Sequence, residues 1–196
     1  MTNRDEMVGA AVGLGFGAII ATVGGFVWFG WSFSAFRSLP LAVFAAYFSV
    51  AVTLMTFAVI VLRRGRKMMK ALGVVRSDFW QKRRKAFGTV VALEIVGCII
   101  VLVLVAVFHR PAWTAVGISL VVGLHFIALG SIFAPRGRLW YSVGGSMVGW
   151  DILTVTALRS WNPTASAAIA AGMIMWAAAI YLLLLSLRMV PRERPV

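Results

Sequence analysis

Four long stretches without Asp, Glu, Lys or Arg constrain what this chain can fold into. They are 30, 25, 25 and 28 residues long and cover residues 7–36, 38–62, 111–135 and 160–187. About 20 predominantly apolar residues cross a bilayer as an α-helix. Each stretch is therefore long enough to span a membrane.

Two further apolar segments complete the set of predicted spans. They lie near residues 87–108 and 139–158 and carry one acidic residue each, Glu94 and Asp151. Membrane barrel strands are short and alternate between apolar and polar residues, which these segments do not do. The sequence predicts an all-α polytopic membrane helix bundle that forms a single transmembrane domain over residues 1–196. Its six transmembrane helices are predicted near residues 8–33, 39–62, 87–108, 112–133, 139–158 and 164–187.

A basic segment at residues 63–86 separates the second and third predicted spans. It holds ten of the chain's nineteen Lys and Arg residues. With six spans, this segment and both termini lie on one side of the membrane, and only Arg37, Arg110 and Arg159 lie on the other. Because Lys and Arg accumulate in cytoplasmic loops, the sequence predicts that both termini are cytoplasmic.

The same basic residues are predicted to anchor the segment on anionic lipid headgroups. The predicted anchors are Arg63, Arg64, Lys67, Lys70, Lys82, Arg83, Arg84 and Lys85. A net charge of +13 also suits nucleic-acid binding. However, Lys and Arg residues at the ends of the spans are explained by the orientation of the protein in the membrane, so no nucleic-acid partner is predicted. A docking surface for a cytoplasmic partner is the alternative. Ser77 and Asp78 are suited to begin a helix that runs into the third span.

Glycines four residues apart predict close helix packing. Gly9, Gly13 and Gly17 follow this spacing in the first span, and Gly145 and Gly149 follow it in the fifth. Packing inside the bundle is the first interpretation. A seam with a second copy of the chain, or a moving gate, is the alternative. The expected partners in the membrane are a second copy of the chain or a partner subunit.

Three ionisable residues within the spans form the predicted site: Glu94, His125 and Asp151. Charge at bilayer depth costs at least about 2.5–3.5 kcal/mol, so such residues face the protein interior or water and find partners. At about 1.5 Å per residue from the cytoplasmic end of each span, they lie roughly 10, 12 and 18 Å deep. If the third, fourth and fifth spans are neighbours, the three side chains could form one polar cluster.

A carboxylate beside an imidazole suits a substrate or proton pathway. A structural triad that holds three helices together is one alternative, and catalysis or metal binding is another. No two of these residues have the local spacing of a metal-ligand pair on a helix. Residues 117–120, Gly-Ile-Ser-Leu, resemble the GxSx pattern of rhomboid-type proteases, but the sixth span has no histidine to act as the base. The sequence thus leans away from an enzyme and indicates no particular cofactor.

The segment Gly123-Leu124-His125-Phe126, followed by a basic break and a glycine-rich fifth span, resembles small six-span bacterial integral membrane proteins of unassigned function. The resemblance covers roughly residues 80–155 and implies a six-helix fold in the bacterial inner membrane, with Glu94 and His125 in a shared site. In size and span count the chain also resembles the substrate-binding membrane subunits of energy-coupling vitamin importers. We therefore expect a transporter or solute-binding membrane protein. A non-catalytic accessory or assembly subunit of a membrane complex is the alternative.

Overall fold

The computed structural model describes residues 3–33, 41–71, 78–132, 137–158 and 162–189. Throughout these residues the regular secondary structure is helical. The elements are α1 (Asn3–Phe33), α2 (Leu41–Ala71), α3 (Asp78–Val107), a 3-10 turn (Pro111–Trp113), α4 (Thr114–Ile132), α5 (Arg138–Thr156) and α6 (Pro163–Met189). The predicted all-α class is confirmed.

Five of these six helices are long and apolar enough to cross a membrane. The apolar segments are Val12–Phe33, Ala42–Ala71, Arg83–Val107, Pro111–Ile132 and Pro163–Arg188. The remaining helix, α5, is 19 residues long and carries Arg138 and Asp151 among several Gly and Ser residues, which lower its apolar character. The chain therefore has the structure of a multi-pass helical membrane protein. The sixth span and the orientation of the termini stay predictions.

Two helices continue beyond the predicted apolar spans into the basic segment. Helix α2 continues to Ala71, about nine residues past its predicted end. Lys, Arg and Met are good helix formers, so a basic sequence prolongs the helix after its apolar part ends. At about 1.5 Å per residue, 31 residues exceed the ~30 Å hydrocarbon thickness. Helix α3 begins at Asp78, as predicted; Ser77 lies outside the described residues.

Contacts divide the chain into two compact units, to which α1 and α6 both contribute. The first comprises Met1–Phe26, Pro40–Trp80 and Met175–Val196. Its helices approach closely at glycines, since a Cβ on Gly15 would lie 3.5 Å from the Leu62 nitrogen. Tyr47 stacks on Trp176 with ring centroids 5.4 Å apart and donates a hydrogen bond to the Phe26 carbonyl.

The second unit comprises Val27–Leu39 and Gln81–Ile174, and it contains the three predicted site residues. A tight turn joins α3 to α4. His109 adopts a left-handed backbone conformation, with φ of 51°, and the Arg110 N–H donates to the Val105 carbonyl over 3.0 Å. This pattern closes the last carbonyls of a helix and reverses the chain. Pro111 then begins the 3-10 turn that leads into α4.

At the start of α6, the Asn162 side chain caps the helix. The Ala165 N–H donates to Asn162 Oδ1 over 3.2 Å, and Pro163 occupies the first helical position. Both residues suit a helix start, because Asn satisfies a free N–H there and Pro lacks one. The cap fixes the end of α6 that carries Ser166, a residue of the polar network described below.

Candidate functional site

Helices α3 and α4 run antiparallel and approach closely at two glycines. A Cβ on Gly97 would come within 2.9 Å of the Val121 side chain, and a Cβ on Gly117 within 2.6 Å of Val101. These pairs show a constant register, in which each step towards the end of α3 is matched by a step towards the start of α4. About one turn from Gly97 and Val121 along the same interface lie Glu94 and His125, within one residue of this register.

Glu94 and His125 meet across this interface. Glu94 Oε2 lies 3.1 Å from His125 Nδ1, and their side chains are 26% and 10% exposed. The contact is close, but Nδ1 has no hydrogen bond of good geometry. It is an ion pair only when the imidazole is protonated. The pair therefore joins α3 and α4, two helices long and apolar enough to cross a membrane, through two ionisable side chains.

The rest of α3 is largely uncovered within the chain. No residue of its apolar segment is fully buried. The partly covered positions follow one side of the helix. They are Arg83, Phe87, Val90, Val91, Glu94, Gly97, Cys98, Val101 and Val105. The other faces carry exposed Leu, Ile and Val side chains. Glu94 thus lies on the single face of α3 that contacts α4.

Asp151 occupies a different interface, between α4 and α5. It is 2% exposed, and neither carboxylate oxygen has a hydrogen bond of good geometry. The Ser119 hydroxyl of α4, itself 1% exposed, approaches this carboxylate. Ser119 precedes His125 by six residues, or about 9 Å along the helix and a third of a turn around it. The structure therefore brings Glu94 and His125 together and places Asp151 apart from them.

The separation of Asp151 from Glu94 and His125 affects whether the three residues can bind one metal ion. Among the residues that the structure describes, no group of three His, Cys, Asp or Glu side chains lies close enough to hold a metal ion through those ligands. The conditional prediction of one polar cluster required Asp151 to face His125. Asp151 instead faces Ser119, because α4 presents Ser119 and Gly123 to α5 and presents Gly117, Val121 and His125 to α3.

A polar network next to Asp151 was not predicted from the sequence. Thr154 Oγ1 lies 3.0 Å from Ser166 Oγ, and Trp150 Nε1 donates to the same Ser166 oxygen over 3.1 Å. Thr154 and Ser166 are 1% and 5% exposed. Hydroxyls in membrane helices usually bond to their own backbone, so no pattern in the sequence indicates that these two would pair between α5 and α6.

The α4–α5 interface is built on Gly123 and Gly144, and not on the pair Gly145 and Gly149. A Cβ on Gly144 would collide with the Gly123 carbonyl, and Phe126 stacks on Trp140 with centroids 5.5 Å apart. By contrast, a Cβ on Gly13, Gly145 or Gly149 would meet no atom within 4 Å. Gly17 is buried, and the surroundings of Gly9 lie outside the described side chains. Within one chain, the close approach of α5 to α4 depends on Gly123 and Gly144.

One predicted lipid anchor has a partner inside the protein. Arg83 Nε donates to the Ile132 carbonyl over 2.6 Å, at the last residue of α4. A cation there favours the negative end of the helix dipole. Arg63, Arg64, Lys67, Lys70, Arg84 and Lys85 are exposed, and the Lys82 side chain lies outside the described part of the chain. Their predicted contact with lipid headgroups stays a prediction.

Fold and site together define a multi-pass helical membrane protein with one ionisable pair between α3 and α4 and one buried carboxylate between α4 and α5. Comparison with known protein families, curated proteins and solved structures finds no match.

Proposed function

We propose that this chain is a membrane transport or solute-binding protein in which Glu94 and His125 form a proton- or cation-accepting site. The observation that carries the proposal is the 3.1 Å contact between Glu94 Oε2 and His125 Nδ1 within two apolar helices. Ionisable residues at this depth are costly and usually mark a pathway for ions or substrates.

The proposal includes α5 as a sixth span. Its 19 residues extend about 28 Å as a helix, close to the ~30 Å hydrocarbon thickness. It lies antiparallel to α4 along most of that length, with Tyr141 beside Gly130 at one end and Asp151 beside Ser119 at the other. A helix that accompanies a spanning neighbour in this way shares its depth. Six spans place both termini on one side, which the distribution of Lys and Arg indicates is the cytoplasmic side. The membrane in this proposal is the bacterial inner membrane, as the resemblance implies.

A second function, an accessory or assembly subunit, is favoured by one observation. The apolar segment of α3 has no fully buried residue, so most of its surface is free to contact a second copy or another membrane subunit. In that case Glu94 and His125 would hold α3 against α4 and would stay neutral or locked. The two functions therefore differ in whether the imidazole of His125 titrates.

The test is an NMR titration of the histidine rings in lipid nanodiscs between pH 5 and 8. The chain has two histidines, and His109, outside the α3–α4 interface, is the internal control. We expect the His125 ring to titrate in this range, and its midpoint to move in Glu94→Gln while that of His109 does not. A His125 ring that stays neutral throughout, and ignores Glu94→Gln, would contradict the proposal and favour the accessory function.

A further inference from the structure

The buried carboxylate of Asp151 requires a charge partner that the surrounding side chains do not supply. Its residue is 2% exposed, and both oxygens lack a hydrogen bond of good geometry. In the described part of the chain, the ion pair found is Glu94 with His125, and Asp151 forms none. An isolated carboxylate in such a place costs several kcal/mol unless something neutralises it. Only a proton or a bound cation can do so here.

The groups around Asp151 are oxygen donors of the kind that hard cations prefer. The Ser119 hydroxyl approaches the carboxylate from α4. Thr154 lies one turn after Asp151 on the same side of α5, and its hydroxyl joins the Ser166 hydroxyl of α6. Carboxylate and hydroxyl oxygens suit small hard cations, whereas imidazole and thiolate suit transition metals. A hydroxyl that donates a hydrogen bond still keeps a lone pair for a cation.

The backbone also permits a compact site. Gly123 and Gly144 bring α4 and α5 into close contact two turns or less from Asp151, so the carboxylate and the Ser119 hydroxyl converge from facing helices. Trp150 Nε1 donates to Ser166 and orients its hydroxyl oxygen. Oxygen-bearing side chains of three helices, Ser119 of α4, Asp151 and Thr154 of α5 and Ser166 of α6, thus lie along the buried side of α5, and each of these residues is at most 5% exposed.

We propose that Asp151 and Ser119, with Thr154 and Ser166 beside them, bind a small monovalent cation of the sodium type. One carboxylate balances one positive charge, which fits a monovalent ion better than a divalent ion that would keep an unpaired charge in the membrane. The site is separate from the Glu94–His125 pair, about 9 Å further along α4. It does not rest on the proposed transport function, and either could hold without the other.

The experiment measures sodium binding to the full chain in detergent or nanodiscs. Thermal unfolding is followed against NaCl at constant ionic strength, with choline chloride as the replacement salt, and radioactive sodium binding is measured in parallel. A ligand that binds the folded state raises the unfolding midpoint with its concentration. We expect a saturable, sodium-dependent rise in wild type that choline does not produce, and its loss in Asp151→Asn.

Two further variants keep the test decisive if Asp151→Asn fails to fold. Ser119→Ala removes one oxygen and is expected to weaken sodium binding about tenfold, as for one lost ligand contact of about 1.4 kcal/mol. Thr156→Val is the matched control on α5, because its hydroxyl is exposed and bonds only to its own helix, at the Ile152 carbonyl. Thr156→Val and Glu94→Gln should both bind sodium as wild type does, which separates this site from the proposed pathway.

Several results would overturn the cation site. The first is an equal effect of sodium and choline salts on the unfolding midpoint. The second is unchanged sodium binding in both Ser119→Ala and Asp151→Asn. The third is an infrared band of a protonated carboxyl group that persists in wild type at saturating sodium and is lost in Asp151→Asn. The last result, read from infrared spectra, would assign a proton to Asp151 instead.

Discussion

The single cysteine, Cys98, reports whether water reaches Glu94. It lies one helical turn after Glu94 on α3 and is partly exposed. Only the thiolate reacts with charged thiol reagents, and a thiolate forms where water has access. If the Glu94–His125 pair belongs to a pathway, we expect Cys98 in reconstituted vesicles to react with a charged, membrane-impermeant methanethiosulfonate.

The control for this labelling uses the same helix. In a Cys98→Ser background, Leu102→Cys places a thiol on the uncovered apolar face of α3, where Leu102 is 50% exposed. Lipid covers that face in a membrane, so the thiol of Leu102→Cys should not react with the charged reagent. Equal protection of both cysteines would show that the neighbourhood of Glu94 is dry and would count against the pathway.

At the residue scale, sequence identified the costly groups and placed Glu94 with His125, but it did not show that Asp151 lies beside Ser119. Glu94, His125 and Asp151 stand out because ionisable residues are rare in membrane helices, a property of single residues. Their pairing depends on the rotation of α4, which presents His125 to α3 and Ser119 to α5. Rotation follows from packing against both neighbours at once. No local pattern around Ser119 shows that it lies beside Asp151.

At the element scale, adjacent glycines of α5 test the α4–α5 interface. Gly144 faces the Gly123 carbonyl and the Ile127 side chain, whereas Gly145 faces open space. We expect Gly144→Ala to lower the free energy of unfolding by about 1–3 kcal/mol, since neighbouring backbone must move. Gly145→Ala should leave it unchanged or raise it by up to about 1 kcal/mol, as Ala favours helix. Unfolding in mixed micelles measures both.

The two variants share the same chemical change, so the comparison isolates packing. Equal effects would show that α5 does not approach α4 at Gly144. A loss of stability confined to Gly145→Ala would instead indicate that this exposed glycine contacts a second copy or a partner subunit, the alternative interpretation of the glycine pattern.

Neighbouring arginines at the start of α3 separate helix capping from lipid anchoring. Arg83 donates to the last carbonyl of α4, and Arg84 is exposed. In detergent without anionic lipid, we expect Arg83→Gln to destabilise the fold by about 0.5–2 kcal/mol and Arg84→Gln to have little effect. In vesicles of anionic lipid both should weaken membrane association slightly. Identical unfolding of the two variants would contradict the capping role.

The helices are the part of the fold that can best be predicted from the sequence. Uncharged runs of 25–30 residues leave few alternatives to a helix in a bilayer, because every backbone group must be satisfied internally. The starts of α3 at Asp78 and of α6 at Pro163 follow from local capping chemistry. The extension of α2 to Ala71 did not follow from hydropathy. Hydropathy marks where a helix leaves the apolar layer, and helix propensity determines where it ends.

At the scale of the whole molecule, the number of spans determines whether the termini share a side. Five helices are long and apolar enough to cross, and α5 is the exception. An odd number of spans would place the termini on opposite sides, and an even number on the same side. The position of Asp151 is tied to this question, since a spanning α5 keeps its carboxylate at membrane depth against Ser119.

Reporter fusions at both termini of one chain therefore test whether α5 spans. We expect both reporters on the cytoplasmic side, because the basic segment and the termini carry sixteen of nineteen Lys and Arg residues under that arrangement. Reporters on opposite sides would show that α5 does not cross. Replacing Arg63, Arg64, Lys67 and Lys70 by Gln leaves twelve against three. It should weaken the orientation preference and give a mixed population, while the two reporters still lie on the same side in each molecule. A fully retained orientation would mean that other residues set the direction of insertion, without changing the number of spans.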